Sequence, residues 1–563
     1  MPGPQGATRR ARAERRAQEP RGTLNGMLRV MILFLAAACA HAAVRAYDVV
    51  VYGGTAGGVI AAVSAARMGL HTALAEPTGH VGGMVSSGLG RTDYGRKEAI
   101  GGYALEFYWR AGRHYQMPRY GNEVAWLHEP HVAEDIFREM LREAGVELFE
   151  HRRLAEKSGV RKEGRTLVAL RMENGDEFRG RVFIDASYEG DVMAQAGVTY
   201  TYGRESQSQY GESLAGVRER TPFHQFLVDI PAREGPRLLP EISAERPGPP
   251  GSADRRIQAY NFRMCFCESP ERQAPFPKPA NYDPARYALL ARLIRAIEAA
   301  EHRTPALARF MNIERLPNGT TDVNNNGPFS TDYIGGSWHY PEASYAGREA
   351  IWQAHRDYQA GFFYFLAHDP QVPEPLRAEM NSWGLCKDEF TDTANWPRQL
   401  YIREARRMVG EYVMVQKDLQ TDLTKPDPIG MGSYNSDSHN VERIVDADGF
   451  VRNEGDMQVP VKPYQIPYRI LLPRRAEAAN LLVTAAFSAS HVAYSSVRME
   501  PQYMILGQAA GAAAKLAIAG GKAVQEIDPA ELAKILRGQG AIMEYAPNAQ
   551  MEALQVVRKA IGK

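Results

Sequence analysis

A glycine-rich turn between two apolar runs constrains the fold more than any other feature of this sequence. The turn reads GGTAGG and spans residues 53–58; YDVVVY precedes it and an alanine-rich stretch ending at Gly69 follows it. The run HTALAE comes next and closes on Glu76. Apolar runs that stop at glycine are typical of buried parallel strands, and the alanine-rich stretch favours a helix. The segment therefore predicts a strand–helix–strand unit of an α/β protein.

The turn and the acid after the second strand together match what a dinucleotide requires. Backbone without Cβ atoms can approach a pyrophosphate, and the start of the helix adds unpaired N–H groups and the positive end of a dipole. An acid at the end of the second strand accepts hydrogen bonds from the adenosine ribose and repels a 2′-phosphate, which favours FAD or NAD over NADP. The residues predicted to bind the cofactor here are Gly53, Gly54, Thr55, Gly57, Gly58 and Glu76.

One position departs from the usual G-x-G-x-x-G pattern. Gly53 and Gly58 occupy its outer positions, but Thr55 stands where the middle glycine is expected. A register one residue earlier would place Tyr52 at the first glycine and lengthen the spacing to Glu76, which fits worse. A glycine-rich turn alone is weak evidence, and the strand, helix and terminal acid around it make this one specific.

A second glycine-rich loop after the acid distinguishes FAD from NAD. It reads HVGGMVSSGLG over residues 80–90, where an NAD-binding domain normally proceeds to another helix and strand. The acid followed by VGGM and a GL-containing loop resembles the FAD-dependent oxidoreductases of the glutathione-reductase superfamily, which include fumarate-reductase-like and heterodisulfide-reductase-A-like flavoproteins. The resemblance implies FAD as the cofactor, with Gly82, Gly83 and Met84 beside it.

A later strand resembles another part of the flavin site in that family. Asn174-Gly175 between apolar runs predicts a hairpin that leads into VFIDAS. In the family such a strand returns to the cofactor beside the first glycine loop, which implies contacts from Asp185 and Ala186. An alternative is that Asp185 caps the helix that follows, and the two roles are compatible.

A helix near the C-terminus resembles the last part of that site. A strand is predicted over Asn480–Ala486, and a helix from Met499 or Glu500 to Ala519. In flavoproteins of this type, such a helix points its N-terminus at the flavin C2 carbonyl, which implies contacts from Arg498 and Met499. Small residues on one face of the helix predict close packing; they are Gly507, Ala510, Gly511 and Ala514.

Because the two halves of this site lie far apart in the sequence, the cofactor domain is predicted to be discontinuous. The predicted fold class is α/β: a Rossmann-like FAD-binding domain with an inserted α+β substrate or cap domain. The FAD-binding domain takes residues 47–215 and 441–520, the insertion takes 216–440, and 521–563 form a C-terminal helical tail.

The N-terminal residues predict export rather than a folded domain. Residues 1–26 are arginine-rich and read as a disordered or mis-assigned N-terminal extension, with Met27 as the true start. Residues 27–42 resemble a secretory signal peptide that ends at Ala40-His41-Ala42. The expected location is periplasmic or extracellular, with no stable membrane span after cleavage, and cytoplasmic if this segment is not a signal.

Charge and cysteine content exclude several classes. A net charge of +1 gives no reason to expect nucleic acid as a partner. Signal cleavage would leave Cys265, Cys267 and Cys386, too few for a four-cysteine iron–sulfur cluster or a disulfide framework. Cys265 and Cys267 are predicted to be packed strand residues rather than a redox pair, and no metal site is predicted.

The catalytic candidates come from polar loops. His491 precedes the helix predicted to face the flavin and is the first candidate for a base; His439 is the second. Each histidine has a structural alternative, as a hydrogen-bonded core residue or a turn cap. Arg469 is a candidate to hold a carboxylate or sugar hydroxyls, whereas Arg403 is read as part of a solvated or paired helix face.

The run from Tyr47 to about Gly520 resembles one branch of bacterial FAD-dependent oxidoreductases, often secreted and sometimes labelled xanthan-lyase-like. The resemblance implies FAD and redox chemistry but no defined substrate. The function we expect is hydride transfer between flavin N5 and a small polar substrate, such as a carbohydrate derivative, with an unidentified electron acceptor. Two alternatives stay open: a flavin-assisted lyase or isomerase without net redox, and an electron-relay module. The large predicted insertion argues against a relay.

Overall fold

The computed structural model describes residues 43–219 and 221–562, and the glycine-rich turn lies at the edge of its largest sheet. The first half of the chain supplies these elements: β1 (Val44–Tyr52), α1 (Ala56–Arg67), β2 (Thr72–Ala75), α2 (Gly102–His114), α3 (Pro130–Ala144), β3 (Glu147–Phe149), β4 (Val160–Glu163), β5 (Thr166–Arg171) and β6 (Glu177–Asp185). Seven strands form the sheet. Six of them lie in the order β3-β2-β1-β6-β5-β4, and the seventh, β22 (Leu481–Val483), is also paired to β6.

The predicted strand–helix–strand unit is confirmed. β1 pairs in parallel with β2 and β6, while β5 and β6 form an antiparallel pair. The predicted hairpin at Asn174-Gly175 joins β5 to β6, and Gly175 adopts φ +91°, a conformation that glycine reaches without strain. Parallel β1, β2 and β6 end at the same edge, so the turn after β1 and the loops after β2 and β6 are neighbours.

The middle of the chain contains short strands and two long helices. Its elements are α4 (Asp191–Gln195), β7 (Tyr200–Thr201), α5 (Gln207–Tyr210), β8 (Arg233–Glu234), β9 (Arg237–Leu238), β10 (Phe266–Cys267), β11 (Gln273–Ala274), α6 (Ala288–Glu301), β12 (Met311–Arg315), β13 (Thr321–Asn325), α7 (Tyr345–His368), α8 (Glu374–Asn381), β14 (Gly384–Cys386), β15 (Arg407–Met408) and α9 (Lys417–Gln420). Aromatic residues on α7, including Tyr358, Phe362 and Phe363, are buried against this region.

The last part returns to the main sheet. Its elements are β16 (Pro428–Gly432), β17 (Ser436–Ser438), β18 (Glu442–Val445), β19 (Val451–Glu454), β20 (Met457–Val459), β21 (Tyr464–Pro467), β22 (Leu481–Val483), α10 (His491–Val497), α11 (Glu500–Gly520), α12 (Pro529–Gly538) and α13 (Ala549–Ala560). β22 is shorter than the predicted strand but pairs in parallel with the end of β6, and α11 matches the predicted helix closely. The domain boundaries stay predictions, and the predicted extension (1–26) and signal (27–42) lie outside the described residues.

Cys265 and Cys267 are buried and are not bonded to each other, as predicted, but the sequence did not predict the disulfide that Cys267 forms. Cys267 and Cys386 form a disulfide, and Cys265 is the buried free thiol. The bond is possible because β10 and β14 are antiparallel neighbours, with Cys267 directly opposite Gly384. Pairing between strands this far apart in sequence places a thiol from the distant strand beside Cys267, which local spacing does not reveal.

Helix α11 packs on α1 through glycine at close range. A Cβ on Gly57 would lie 2.8 Å from the carbonyl oxygen of Tyr503, and one on Gly511 would lie 2.6 Å from that of Ala61. A Cβ on Gly507 would fall well inside contact distance of the Gly57 carbonyl oxygen. The predicted small-residue face is therefore confirmed, and it fixes where α11 begins relative to the glycine-rich turn.

This packing makes Gly507→Ala a sharp test of the fold. The added methyl group meets rigid backbone, so the variant should lose about 1–3 kcal/mol of unfolding free energy and show a lower melting temperature. Gly538→Ala is the matched control, because it lies at the end of helix α12 with no atom near its Cβ position. Equal melting temperatures for the two variants would contradict the packing.

Candidate cofactor and substrate site

The first glycine turn holds its shape through Thr55. The Thr55 hydroxyl accepts a hydrogen bond from the N–H of Gly58 (3.1 Å), which caps α1, and donates to the carbonyl of Ala186 (2.9 Å). Gly53 adopts φ +95°, and a Cβ there would lie 2.8 Å from the backbone nitrogen of Ser187. The departure from the usual motif thus has a structural reason: the threonine ties the turn after β1 to the end of β6.

Glu76 directly follows β2, and hydrogen bonds hold both of its carboxylate oxygens in place. Its Oε2 accepts a hydrogen bond from the N–H of Gly54 (2.6 Å), and its Oε1 accepts from the N–H and hydroxyl of Thr78 (both 2.7 Å). Burial raises the pKa of this carboxyl, although these hydrogen bonds oppose the shift. The side chain borders a cavity of about 360 Å³ that Gly53, Thr55 and Ser187 also line.

The second glycine loop lies against the first. The N–H of Gly82 donates to the carbonyl of Gly54 (2.6 Å), and Thr55 and Gly82 form a parallel bridge. Gly82 and Gly83 have φ of +104° and +56°, so this loop depends on glycine at both positions. The N–H of Met84 donates to the hydroxyl of Tyr188 (3.0 Å). The structure therefore brings the two predicted loops together.

Asp185, at the end of β6, caps the start of helix α4, which is the alternative role predicted for it. Its Oδ1 accepts from the N–H and hydroxyl of Ser187 (3.1 and 2.7 Å), and its Oδ2 accepts from the N–H of Met193 (2.8 Å) in α4. Burial raises the pKa of Asp185 to about 6, against these hydrogen bonds. Ala186 takes part through its carbonyl, which receives the Thr55 hydroxyl. Asp185 thus shapes the loop that borders the cavity.

The start of α11 carries a buried acid, Glu500. It lies within the segment 495–501 that is predicted to contact the cofactor, but the sequence did not single it out as a site residue. The Tyr188 hydroxyl donates to Glu500 Oε1 (2.7 Å), and Glu500 Oε2 has no hydrogen-bond partner among the described residues. Burial raises the pKa of Glu500 to about 8. Met499 is the N-cap residue of α11 and is buried beside it. The sequence signals were the YEGD stretch directly after IDAS and an acid at the first position of the helix.

Arg498 and His439 both lie close to Asp437, next to the start of α11. Arg498 Nη2 donates to the carbonyl of Asp437 (2.8 Å), and Asp437 Oδ2 lies 3.9 Å from His439 Nε2. His439 Nδ1 lies 2.7 Å from Asp332 Oδ2, so the imidazole is held by a buried carboxylate. The predicted candidate His439 and the predicted cofactor residue Arg498 therefore belong to one cluster.

The structure places Arg403 differently from the predicted solvated or paired helix face. It lies outside any helix and is 1% exposed rather than part of a solvated helix face. Its Nη2 lies 3.0 Å from Asp332 Oδ1 and donates to Asn261 Oδ1 (3.1 Å). Burial opposes ionisation of Asp332, but Arg403 and His439 lower the pKa of that carboxyl. Because a charged residue reads as surface from sequence alone, only the fold reveals this position.

Several polar atoms of the cluster have no hydrogen-bond partner in the described structure. We call the set formed by Asp332, Arg403, Asp437, His439 and Arg498 the polar cluster. Buried polar groups are usually satisfied, so unsatisfied ones concentrated in one place point to a ligand. The unsatisfied buried atoms in and beside the cluster are Arg403 Nε, Arg498 Nε, Ser436 Oγ, Ser438 Oγ and Asn440 Oδ1.

His491 lies in a separate ion network. Its Nδ1 lies 2.8 Å from Glu404 Oε2, and its backbone N–H donates to Glu205 Oε2 (2.9 Å). Burial opposes ionisation of Glu404, but His491 and Arg407 lower its pKa to about 2. Gln258 connects this network to the other histidine: it donates to Glu404 Oε2 (3.0 Å) and accepts from the backbone N–H of His439 (3.1 Å).

Arg469 does not join either group. Its side chain is partly exposed, lies over the ring of Tyr412 at 4.1 Å and has its Nε 3.6 Å from Asp427 Oδ1. Arg469 belongs to a short 3-10 helix, Tyr468–Leu471, that follows β21 and whose other residues are buried. Of the three predicted catalytic residues, the structure places His439 in the polar cluster, connects His491 to it through Gln258, and leaves Arg469 elsewhere.

The residues fit a bound FAD on two observations of the structure itself. Gly53, Thr55 and Glu76 line the cavity of about 360 Å³, and Gly54, Glu76 and Gly83 line a smaller cavity of about 50 Å³ to which both glycine loops contribute. Glu500 Oε2 is buried without a partner at the start of α11, where a hydroxyl or imide group of a ligand could donate to it. A Cβ on Gly57 would meet the backbone of Tyr503 and one on Gly58 that of Gly53, so both positions require glycine for packing; their predicted contacts with the cofactor stay predictions.

Replacing one carboxylate oxygen of Glu76 should weaken FAD binding. Glu76→Gln puts an NH₂ group where an oxygen now accepts hydrogen bonds from backbone N–H groups, so the affinity of apoprotein for FAD should fall about tenfold or more. Quenching of FAD fluorescence on titration with apoprotein measures this. Glu163→Gln, at an exposed strand residue, is the matched control, and equal affinities for both variants would refute the role given to Glu76.

Comparison with solved structures finds proteins of low identity. A geranylgeranyl bacteriochlorophyll reductase-like protein from Thermoplasma acidophilum is 11% identical over 92% of this chain and 99% of that one, with a TM-score of 0.32. OxyS anhydrotetracycline hydroxylase from Streptomyces rimosus is 14% identical over 33% of this chain and 43% of its own, with a TM-score of 0.21. NikD, an amino acid oxidase of nikkomycin biosynthesis, is 13% identical over 29% and 56%, with a TM-score of 0.19.

No curated protein matches the chain. A sequence model of one family, described as FAD dependent oxidoreductase, matches residues 48–536. That range contains both glycine loops, Glu76, the polar cluster and the whole of α11. The chain therefore belongs to the FAD dependent oxidoreductase family, and its cofactor is FAD.

Proposed function

We propose that this enzyme transfers a hydride between FAD and a carbon atom that carries a hydroxyl group. The substrate of this reaction is small, polar and carbohydrate-derived. The observation that carries the proposal is the buried Asp332–His439 pair beside Arg498 at the start of α11. Bound FAD supplies the hydride acceptor at its N5 atom. The tasks left to the chain are to hold the substrate hydroxyl, take its proton and exclude water.

His439 suits the task of taking the proton. A neutral imidazole that donates its Nδ1–H to Asp332 has its lone pair on Nε2, on the side of Asp437. The carboxylate of Asp332 orients the ring and stabilises the positive charge that forms when the proton arrives. Arg403 keeps Asp332 ionised, because its guanidinium lies 3.0 Å from that carboxylate.

The rest of the polar cluster suits hydroxyl groups. A sugar hydroxyl both donates and accepts hydrogen bonds, and the unsatisfied atoms include the guanidinium donors of Arg403 and Arg498, the acceptor of Asn440 and serine hydroxyls that do both. Each arginine of the cluster is already near an aspartate. The site therefore carries little unbalanced positive charge, which favours a neutral polyol over a carboxylate.

We assign His491 a positioning role. Its partner Glu404 is also the partner of Gln258, which holds the backbone N–H of His439. The effect of His491 on the reaction would then pass through the placement of the loop that carries His439.

Anaerobic mixing with a panel of sugars and glycosides tests the proposal by loss of flavin absorbance. His439→Asn should slow this bleaching about 10²- to 10⁴-fold, because the proton acceptor is removed, while the spectrum of the bound flavin is retained. His114→Gln, at an exposed helix end, should react like the wild type. Conversion of a sugar without bleaching would favour a lyase or isomerase, and an unchanged rate in His439→Asn would exclude His439 as the base.

We also propose that the enzyme is exported and belongs to the secreted branch of its family. The disulfide between Cys267 and Cys386 supports this, because such bonds persist in oxidising compartments. Among the described residues no helix is long and apolar enough to cross a membrane. The disulfide agrees with the signal predicted over residues 27–42.

Export predicts a processed, oxidised protein. When the chain is expressed from Met27, the N-terminus found by mass spectrometry should be Ala43, and the denatured protein should contain one free thiol, that of Cys265. An unprocessed chain with all its thiols reduced would contradict export.

A further inference from the structure

We infer that the substrate carries an apolar group next to its hydroxylated head, and that this group binds in a second cavity of about 340 Å³ beside the polar cluster. The inference rests on the proposed function, because the head is the part that reaches His439. It narrows the substrate class to glycosides with an alkyl or aryl aglycone.

The cavity has an apolar mouth. Its walls come from the loop around residues 222–228 and from helix α6, and the apolar side chains among them are Phe223, Leu227, Val228, Leu293 and Ile297. Leu227 is 86% exposed and Phe223 is 43% exposed, and both are among the large apolar side chains left in water. Apolar side chains grouped at a concave opening indicate a binding site more often than isolated ones do.

Charge at the mouth is balanced. Arg309 and Glu301 both line the cavity and form an ion pair with each other. Glu301 Oε2 also lies 3.1 Å from Arg303 Nη2, so the acid at this end is paired with arginine on both of its oxygens. A neutral apolar group therefore matches this end of the cavity better than an ionic one.

The inner end of the cavity adjoins the polar cluster at two points. His224 and Pro328 line the cavity, and Asp332 of the cluster follows Pro328 by four residues along the chain. Gln458 also lines the cavity, and it is the direct partner of Asp437 across the β17–β20 pair. A ligand whose head lies at His439 can thus extend past His224 and Gln458 into the apolar mouth.

The backbone at His224 supports this arrangement. His224 has φ +46°, an uncommon conformation for a residue other than glycine. Its Nδ1 accepts a hydrogen bond from the N–H of Gly327 (3.2 Å), which joins the two loops that form the inner wall. Strained backbone held in place by surrounding contacts is frequent at ligand-binding sites.

Paired glycosides test the inference on the holoenzyme. Methyl and butyl β-glycosides of glucose, galactose and mannose present the same heads with and without additional methylenes. For any head that bleaches the flavin, the butyl glycoside should have a KM at least about tenfold lower than the methyl glycoside, because each of its three additional methylenes tightens binding about three- to fourfold when it is moved fully out of water. Calorimetry on the His439→Asn holoenzyme should give the same ratio for the dissociation constants.

Substitution at the mouth locates the effect. Leu227→Ser should reduce the butyl-to-methyl ratio to below about threefold, because the apolar contact is lost. Met551→Ser, which also replaces an exposed apolar residue but lies outside the cavity, should keep the wild-type ratio. Equal constants for methyl and butyl glycosides would overturn the inference and leave the proposed function intact. If no glycoside of either series bleaches the flavin, the proposed carbohydrate substrate fails and the inference fails with it.

Discussion

The close approach of α1 and α11 is the contact on which the site depends. Glycines at 57, 507 and 511 let the two backbones meet where larger side chains would collide. Through this contact a helix from the C-terminal part of the chain begins beside a turn from the N-terminal part. Without it, Glu500 and Arg498 would have no fixed relation to the glycine loops, and neither a cofactor site nor a substrate site would be complete.

The buried charges of the polar cluster are explained better by the proposed chemistry than by stability. Removing ion pairs from water costs several kcal/mol per ion, and the attraction between partners often does no more than offset that cost. Asp332, Arg403 and His439 are nevertheless buried together. Such a group is expected where a carboxylate must orient a base and where hydroxyl groups of a substrate must be held. The unsatisfied atoms around it are consistent with the same interpretation, since a bound ligand would satisfy them.

Sequence patterns predicted the elements whose signals are local. The turn at 53–58, the hairpin at Asn174-Gly175 and helix α11 each have glycine, periodicity or capping residues within a short stretch, and all three are confirmed. The FAD cofactor followed from the spacing of two glycine loops around Glu76. Thr55 was flagged as a departure, and the structure explains it as a cap that also binds the end of β6.

The errors concern contacts between distant segments. The Cys267–Cys386 bond depends on the pairing of β10 with β14, and the burial of Arg403 depends on its approach to Asp332. Tyr188 and Glu500 were missed because their significance comes from meeting each other. In each case the residue type was visible, but its partner was set by the tertiary fold.

The most direct test of the account is the flavin content of the purified protein. Separate sequence segments that enclose one dinucleotide should give one FAD per chain, with the visible absorption bands of oxidised flavin, and apoprotein should recover them on addition of FAD but not of NADP. A protein that stays colourless after incubation with excess FAD, or that binds FAD and NADP equally, would contradict it.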